Sequence, residues 1–300
     1  MVGTLQDYIK KPGITKELLH PWNKLIMVIG GTDTGKTTLV ECIADLLSRH
    51  TKMGIVDLDI GQSNVGPPAT IGWARIEGGF TTWADIRMED FYFAGTITPV
   101  GSLLPVVVGA KLMVDAALAV CDKVIVNTTG LIAGQGGRML KLFKIDMLSP
   151  NIILALEHSC ELGHILDVFT HCTYPQIYRL PVPVHVTTKG IIKRSTHRFD
   201  KLISYFSNTN LTEIAMDSVC IRYTREPLSA DMPDLKNRLI SFRDEHNKDI
   251  ALGIIEDVRM QERQLIIRTP LDSSVKLSVV VIGRTAIDRL NATVRDVDLI

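Results

Sequence analysis

Gly30-Gly31-Thr32-Asp33-Thr34-Gly35-Lys36-Thr37-Thr38 is the stretch that decides the fold. Its spacing, a glycine, four residues, then Gly-Lys-Thr, is that of a phosphate-binding loop. The apolar run Leu25-Ile26-Met27-Val28-Ile29 precedes it and predicts a buried strand. Leu39, Val40, Ile43, Ala44 and Leu47 follow at helical spacing. A glycine-rich loop between strand and helix turns backbone N–H groups toward an anion, and the helix N-terminus adds partial positive charge. Gly30 through Thr38 are therefore the candidate nucleotide-binding residues. Lys36 is placed to reach the β- and γ-phosphates, and the Thr37 hydroxyl to ligate Mg²⁺.

The rest of the chain bounds what a bound nucleotide can serve. At 300 residues, 46% hydrophobic and 22% charged, it is long enough for about two globular domains. Formal net charge is zero, so no global basic field recruits nucleic acid, and any such site must be local. Five scattered cysteines contain no CxxC pair, which fits free thiols in a reducing compartment. Asp7, Lys10, Lys11, Lys16 and Glu17 interrupt any signal-type apolar core, and Pro105, Lys111 and Asp115 interrupt the apolar stretch 103–120. The expectation is a cytoplasmic protein with no membrane span.

Residues 1–22 read as a polar lead-in with one short helix. Strand and helix patterns then alternate: strands over 52–58, 123–127, 151–156 and 176–180, helices over 102–121, 138–147 and 161–172, and a short apolar run at 91–94. The fold class this predicts is α/β, a P-loop NTPase parallel sheet with helices on both faces. Ligands of such sheets bind at the carboxyl ends of the strands. From about residue 210 short strand-like runs predict a small C-terminal β-rich domain, in barrel form or otherwise. The expected division is a lead-in at 1–22, a P-loop domain at 23–209 and a β-rich domain at 210–300.

A second group of residues, Asp57-Leu58-Asp59-Ile60-Gly61-Gln62, ends the second strand. Its two acids, two residues apart, are candidates to hold a metal and to accept a proton from an attacking hydroxyl. Guanine-specific switches need Asn-Lys-x-Asp after a later strand, and Asn127-Thr128-Thr129-Gly130 stands there instead. His158, His164, His171 and Cys172 match no zinc spacing. Trp22, just before the first strand, is a candidate border of an adenine site. Arg138, Lys141 and Lys144 share a helix face that reads as solvated or as tracking a nucleic-acid backbone, the zero net charge favouring the first.

The order Gly30–Thr37, Asp59-Ile60-Gly61-Gln62, Thr128-Thr129-Gly130-Leu131 resembles the polynucleotide 5′-hydroxyl kinases. These RNA kinases are related to the mRNA 3′-end cleavage-factor and tRNA-splicing kinase and to the pre-rRNA-processing kinase. Gly66–Gly72 and Phe91–Pro99 also look like that family, and the resemblance runs from about Leu25 to Phe206. It implies transfer of the γ-phosphoryl of ATP, with Mg²⁺, to the 5′-hydroxyl of RNA or DNA, and leaves protein partners open. By the same resemblance Lys36 stabilises the phosphoryl, Thr37, Asp57 and Asp59 serve the metal, and Asp59 activates the hydroxyl. Gln62, Thr128, Gly130 and Leu131 grip the substrate, and a lid at about 189–208 brings Arg194 and Arg198 to the phosphates. Leu131 departs from the pattern, because the family usually has a tryptophan there whose ring stacks on a base. Two other functions remain open: a non-catalytic ATP-binding scaffold in an RNA-processing complex, and a nucleotide-dependent switch or kinase of a small hydroxyl compound.

Overall fold

The computed structural model describes residues 4–188, 190–224, 235–272 and 274–297. Lys189, with which the expected lid begins, and parts of the expected 1–22 and 210–300 segments lie outside these residues.

The chain starts with two short helices, α1 (Leu5–Ile9) and α2 (Pro12–Leu19), where the sequence suggested one. Then come β1 (Leu25–Gly30), α3 (Lys36–Ser48), β2 (Met53–Leu58), β3 (Thr70–Ile76), β4 (Met88–Phe93), α4 (Leu103–Leu118) and β5 (Lys123–Thr128). The first half closes with α5 (Gly134–Leu148), β6 (Ile152–Glu157), α6 (Gly163–Leu166) running into a 3₁₀ turn, β7 (Gln176–Pro181) and α7 (Ile191–Tyr205). The helix expected over 161–172 is thus only one turn of α-helix followed by 3₁₀ structure.

Seven strands form the first sheet in the order β4-β3-β2-β5-β1-β6-β7. Five of them, β2 to β7 along that order, pair in parallel, and their largely buried apolar runs are what helices on both faces require. The expectation of a parallel sheet needs one correction: β3 and β4 join antiparallel at one edge. An antiparallel return from β2 to β3 needs no crossover helix, so no helical pattern marks that edge in the sequence. One apolar layer, with Leu140, Ile145 and Leu148 of α5 and Val106, Ala110 and Val114 of α4, covers one face. The other holds Leu39, Val40, Ile43 and Leu47 of α3 together with Leu5, Tyr8, Ile9, Ile14 and Leu18. The lead-in is therefore part of the core rather than a polar leader.

The second sheet comprises β8 (Asn210–Ala215), β9 (Cys220–Tyr223), β10 (Arg238–Arg243), β11 (Asp249–Arg259), β12 (Gln264–Thr269), β13 (Val279–Asp288) and β14 (Thr293–Asp296). Its order is β14-β13-β10-β11-β12-β8, with β9 added parallel to β13. A further cluster, formed by Phe91 and Phe93 of β4, Leu202 and Phe206 of α7 and Leu239, Leu252 and Val281 of the second sheet, joins the two halves. Asp249 reinforces the junction by accepting from the Phe93 backbone N–H at 3.0 Å. None of the described helices is long and apolar enough to cross a membrane.

Candidate active site

The phosphate loop leaves β1 at its carboxyl end. Gly30 packs so closely that a Cβ there would stand 2.7 Å from the Leu156 carbonyl oxygen, so no larger residue fits. Gly35 caps α3 at φ +88°, in the left-handed region where glycine carries no steric penalty. The Thr34 hydroxyl donates to the Gly31 carbonyl at 3.0 Å, and the buried Lys36 ammonium donates to the same oxygen. Burial lowers the Lys36 pKa, while Asp59 and Asp33 oppose that shift. A phosphate chain would replace this internal bond with a stronger one between two charged groups.

The cleft above the loop measures about 940 Å³. Gly31 through Thr38, Asp59, Gln62, Gly130, Leu131 and Arg194 line it, so thirteen of the residues expected at the site converge there. Asp59 Oδ1 accepts from the backbone N–H groups of Gly61 (3.3 Å) and Gln62 (3.1 Å), which fixes the carboxylate, while Oδ2 accepts nothing from the described residues. Gly61 is needed because a Cβ would meet the Ile97 carbonyl at 2.7 Å. Gly130 is needed for a similar reason: its Cβ would lie 2.5 Å from Thr32 Oγ1 and 2.7 Å from Thr32 Cα. The 129–133 loop therefore rests directly on the start of the phosphate loop.

Helix α7 lies over the opposite lip. Arg194 pairs with Asp33 at 3.0 Å, and its carbonyl accepts from Gln62 Nε2 at 3.1 Å. Lys201, one helix face with Arg194 and Arg198, donates to the Asn64 carbonyl at 3.4 Å. The apolar face of α7 holds Leu202 and Phe206 against β4 and the second sheet, and Ile192 is exposed.

Four expected site residues do not line the cleft. Gly30 lies beneath it. Asp57 is fully buried, with Oδ1 accepting from the Asp59 N–H (3.1 Å) and Asn127 Nδ2 (3.0 Å) and Oδ2 from the Asn64 N–H (2.7 Å). Its carboxylate orients the turn that carries Asp59. Burial and then Asp59 raise its pKa to about 6. Thr128 is also buried. Its hydroxyl donates to the Val28 carbonyl at 2.8 Å, so Thr129 is the threonine facing the cleft. Arg198 is half-buried, and its Nε has no partner among the described residues; burial and Arg194 lower its pKa.

Two cations and an indole also stand elsewhere than the sequence suggested. Lys141 and Lys144 are completely buried, on the face of α5 that also carries Gly137, Leu140, Ile145 and Leu148. Lys141 Nζ donates to Thr128 Oγ1 (2.9 Å) and to the Thr129 carbonyl (2.5 Å), and so holds the 129–133 loop from below. Lys144 Nζ has no hydrogen-bond partner among the described residues. Arg138 donates to the His164 carbonyl at 2.8 Å. The signal was present: 137, 140, 141, 144, 145 and 148 follow the spacing of a buried helix face. Trp22 is 79% exposed beside the amino end of β1, the edge of the sheet opposite the cleft. No group of three or more metal-ligating His, Cys, Asp or Glu side chains occurs among the described residues. Further lining comes from Leu5, Ile97–Pro99, Ile132, Ala133 and His185–Thr187.

A family described as the mRNA cleavage and polyadenylation factor CLP1 P-loop matches residues 30–208, more than half of the chain. The chain belongs to the CLP1 P-loop family. Relatives of this CLP1-family chain include the polyribonucleotide 5′-hydroxyl-kinase of Pyrococcus abyssi, 29% identical over 87% of either chain. The proteins of the same name from Thermococcus kodakarensis and Methanocaldococcus jannaschii are 35% and 37% identical over 75% and 67% of this chain. Those two alignments span 65% and 55% of the relatives' own lengths. A solved structure of a wild-type Clp1p–Pcf11p complex superposes with a TM-score of 0.72 at 13% identity, covering 93% of this chain and 79% of that one. At that identity the likeness concerns the fold.

Proposed function

We propose that this CLP1-family chain is an ATP-dependent polynucleotide 5′-hydroxyl kinase. The observation that carries the reading is the position of Asp59, whose Oδ2 is open in a cleft shared with Lys36 on one side and with Gln62 and the 129–131 loop on the other. That arrangement suits a phosphoryl donor on the loop and a hydroxyl acceptor across from it. The three archaeal relatives carry kinase names, which supports the same reading.

In the proposed step Asp59 Oδ2 accepts the 5′-hydroxyl proton as that oxygen bonds to the γ-phosphorus. The bond from the γ-phosphorus to the β,γ-bridging oxygen breaks, and ADP leaves with the electron pair. Lys36 releases the Gly31 carbonyl to neutralise charge on the transferred group, and Arg194 and Arg198 approach from α7. The Thr37 hydroxyl and Asp59 fit a Mg²⁺ ion, which takes few protein ligands and completes its shell with phosphate oxygens and water. Bound there, the ion would screen the phosphates from the acceptor. Asp57 and Thr128 act through Asp59 and Thr129 rather than by contact. The proposed organisation keeps a kinase domain at 23–209 and a β-rich domain at 210–300, with the 1–22 segment contributing Leu5 to the cleft.

Incubation with γ-labelled ATP and 5′-hydroxyl oligoribo- and oligodeoxyribonucleotides tests the proposal. Transfer to the 5′ end is expected, reduced by about 10²–10⁴-fold in Asp59→Asn and abolished in Lys36→Ala. Wild-type protein that labels neither oligonucleotide at any Mg²⁺ concentration would refute it. Leu131, which offers the acceptor no π-face, favours one rival, an ATP-holding scaffold. Stoichiometric retention of unhydrolysed ATP without transfer identifies that case.

A further inference from the structure

The helical cover on one side of the first sheet is apolar where it meets solvent. Helix α4 packs inward with Val106, Ala110, Val114 and Ala117, yet its outer side carries Leu104 (75% exposed), Val108 and Leu112 (50% exposed). A helix that is apolar on both sides belongs in a core or beneath a partner. Helix α5 lies next to α4 and extends the same surface. Arg138, bound to the His164 carbonyl, turns one flank of α5 toward α6. Phe143 and Met147, close to half a turn away around the helix, stand on the flank that faces α4, and both are nearly half exposed. These five side chains present on the order of 500 Å² of apolar surface, the upper end for a chain that works alone. It is the greater part of the roughly 800 Å² that each member of a stable pair covers. None of the five lines the cleft.

The surface is its own complement. Lys111 and Asp115 pair at 2.6 Å within it, and both side chains stay partly exposed. They are centred on position 113 of α4, while Phe143 and Met147 are centred on position 145 of α5. Helices α4 and α5 run the same way, because β4 and β5 that lead into them point in one direction. The two centres lie ten and eleven residues past the first residues of their helices, Leu103 and Gly134, and so stand at about the same height. One two-fold axis therefore serves both. It sets Lys111 of each copy against Asp115 of the other, and Phe143 against Met147, as an isologous contact requires. Leu104 meets Val120, a further exposed apolar residue, about the same axis. Asp146 stands on the side of α5 away from α4, where a polar rim belongs.

We propose that two copies of this chain pair through the outer faces of α4 and α5, antiparallel about a two-fold axis near positions 113 and 145. The pairing stands whether or not the chain transfers phosphate, since it uses no residue of the cleft.

Sedimentation equilibrium of the full chain over a wide range of concentration tests it. The wild type should reach twice the mass of one chain. Leu112→Glu buries an unpaired carboxylate twice in each pair, so it should raise the dissociation constant by about a hundredfold or more. Its unfolding temperature in dilute solution should match that of the wild-type single chain. Lys111→Glu should also weaken pairing, and Lys111→Glu with Asp115→Lys should restore it. That rescue keeps the test decisive if Leu112→Glu does not fold, and general surface stickiness cannot produce it. A wild type that stays single at every concentration overturns the proposal, including the case in which a different protein covers this face. A dimer indifferent to Leu112→Glu, a double variant that pairs no better than Lys111→Glu, or growth beyond two copies overturns it as well.

Discussion

Replacing Lys144 with methionine should stabilise the protein and remove a particular pH dependence. The Lys144 ammonium is completely buried between α5 and the sheet and makes no hydrogen bond to the described residues. Burial pushes its pKa from 10.5 down to about 7, with Asp59 and Asp57 opposing the change. Between pH 7 and 10.5 the folded protein therefore holds the neutral amine while the unfolded chain holds the ammonium. The unfolded state binds more protons, so stability rises with pH through that window; below the folded value the penalty is constant. A tenfold weaker grip on the proton corresponds to about 1.4 kcal/mol, so burying this charge costs on the order of 5 kcal/mol in full. From about pH 7.5 to about pH 9 the wild type should gain roughly 2 kcal/mol relative to Lys144→Met. Methionine keeps the length of the chain and removes the charge. Lys141, whose pKa burial also lowers, slopes in the same sense in both proteins and cancels to first order. Asp57, at about 6, is ionised throughout the window. Urea unfolding of both proteins at several pH values and constant ionic strength gives the difference directly. Parallel stability–pH curves, or a variant less stable than wild type near pH 7.5, would overturn this account of Lys144.

Lys141→Met leaves the Thr129 carbonyl and the Thr128 hydroxyl without a donor. An unsatisfied buried group costs about 1–3 kcal/mol, so KM for the oligonucleotide should rise tenfold or more while ATP affinity holds, as steady-state kinetics with each substrate varied will read. Gly130→Ala forces its methyl into Thr32 and separates the two loops. Displacements near 1 Å cost about 10²-fold in rate, so kcat should fall by that order with little change in unfolding temperature.

The fold was legible where local pattern and tertiary role coincide. Buried parallel strands read as apolar runs, and Gly30–Thr38 carries its own geometry in its spacing. Strands β3, β8 and β14 were not legible, since pairing with a partner strand, which the local pattern does not record, makes them strands. At the site, Lys36, Asp59, Gln62 and Gly130 were visible because their chemistry is local to a strand end. Asp57 and Thr128 were assigned to ligands because their types suit ligands, yet the sheet turns both inward. For Lys141 and Lys144 charge argued for solvent and helical spacing for burial, and the spacing was the better guide.

The anchoring of the 95–99 segment has a consequence for how the site comes into being. Thr96 Oγ1 donates to Asp296 at 2.6 Å and the Ile97 N–H at 3.1 Å, while Thr285 donates to the same carboxylate at 2.9 Å. Thr96 and Asp296 are 200 positions apart. A chain emerging from the ribosome thus exposes its whole phosphate loop well before the residue that pins the facing wall has been made. Both lips of the cleft are thus early products of synthesis, and the anchor that fixes the 95–99 wall is a late one. A nascent chain would have both lips of its cleft made before the wall between them could be fixed.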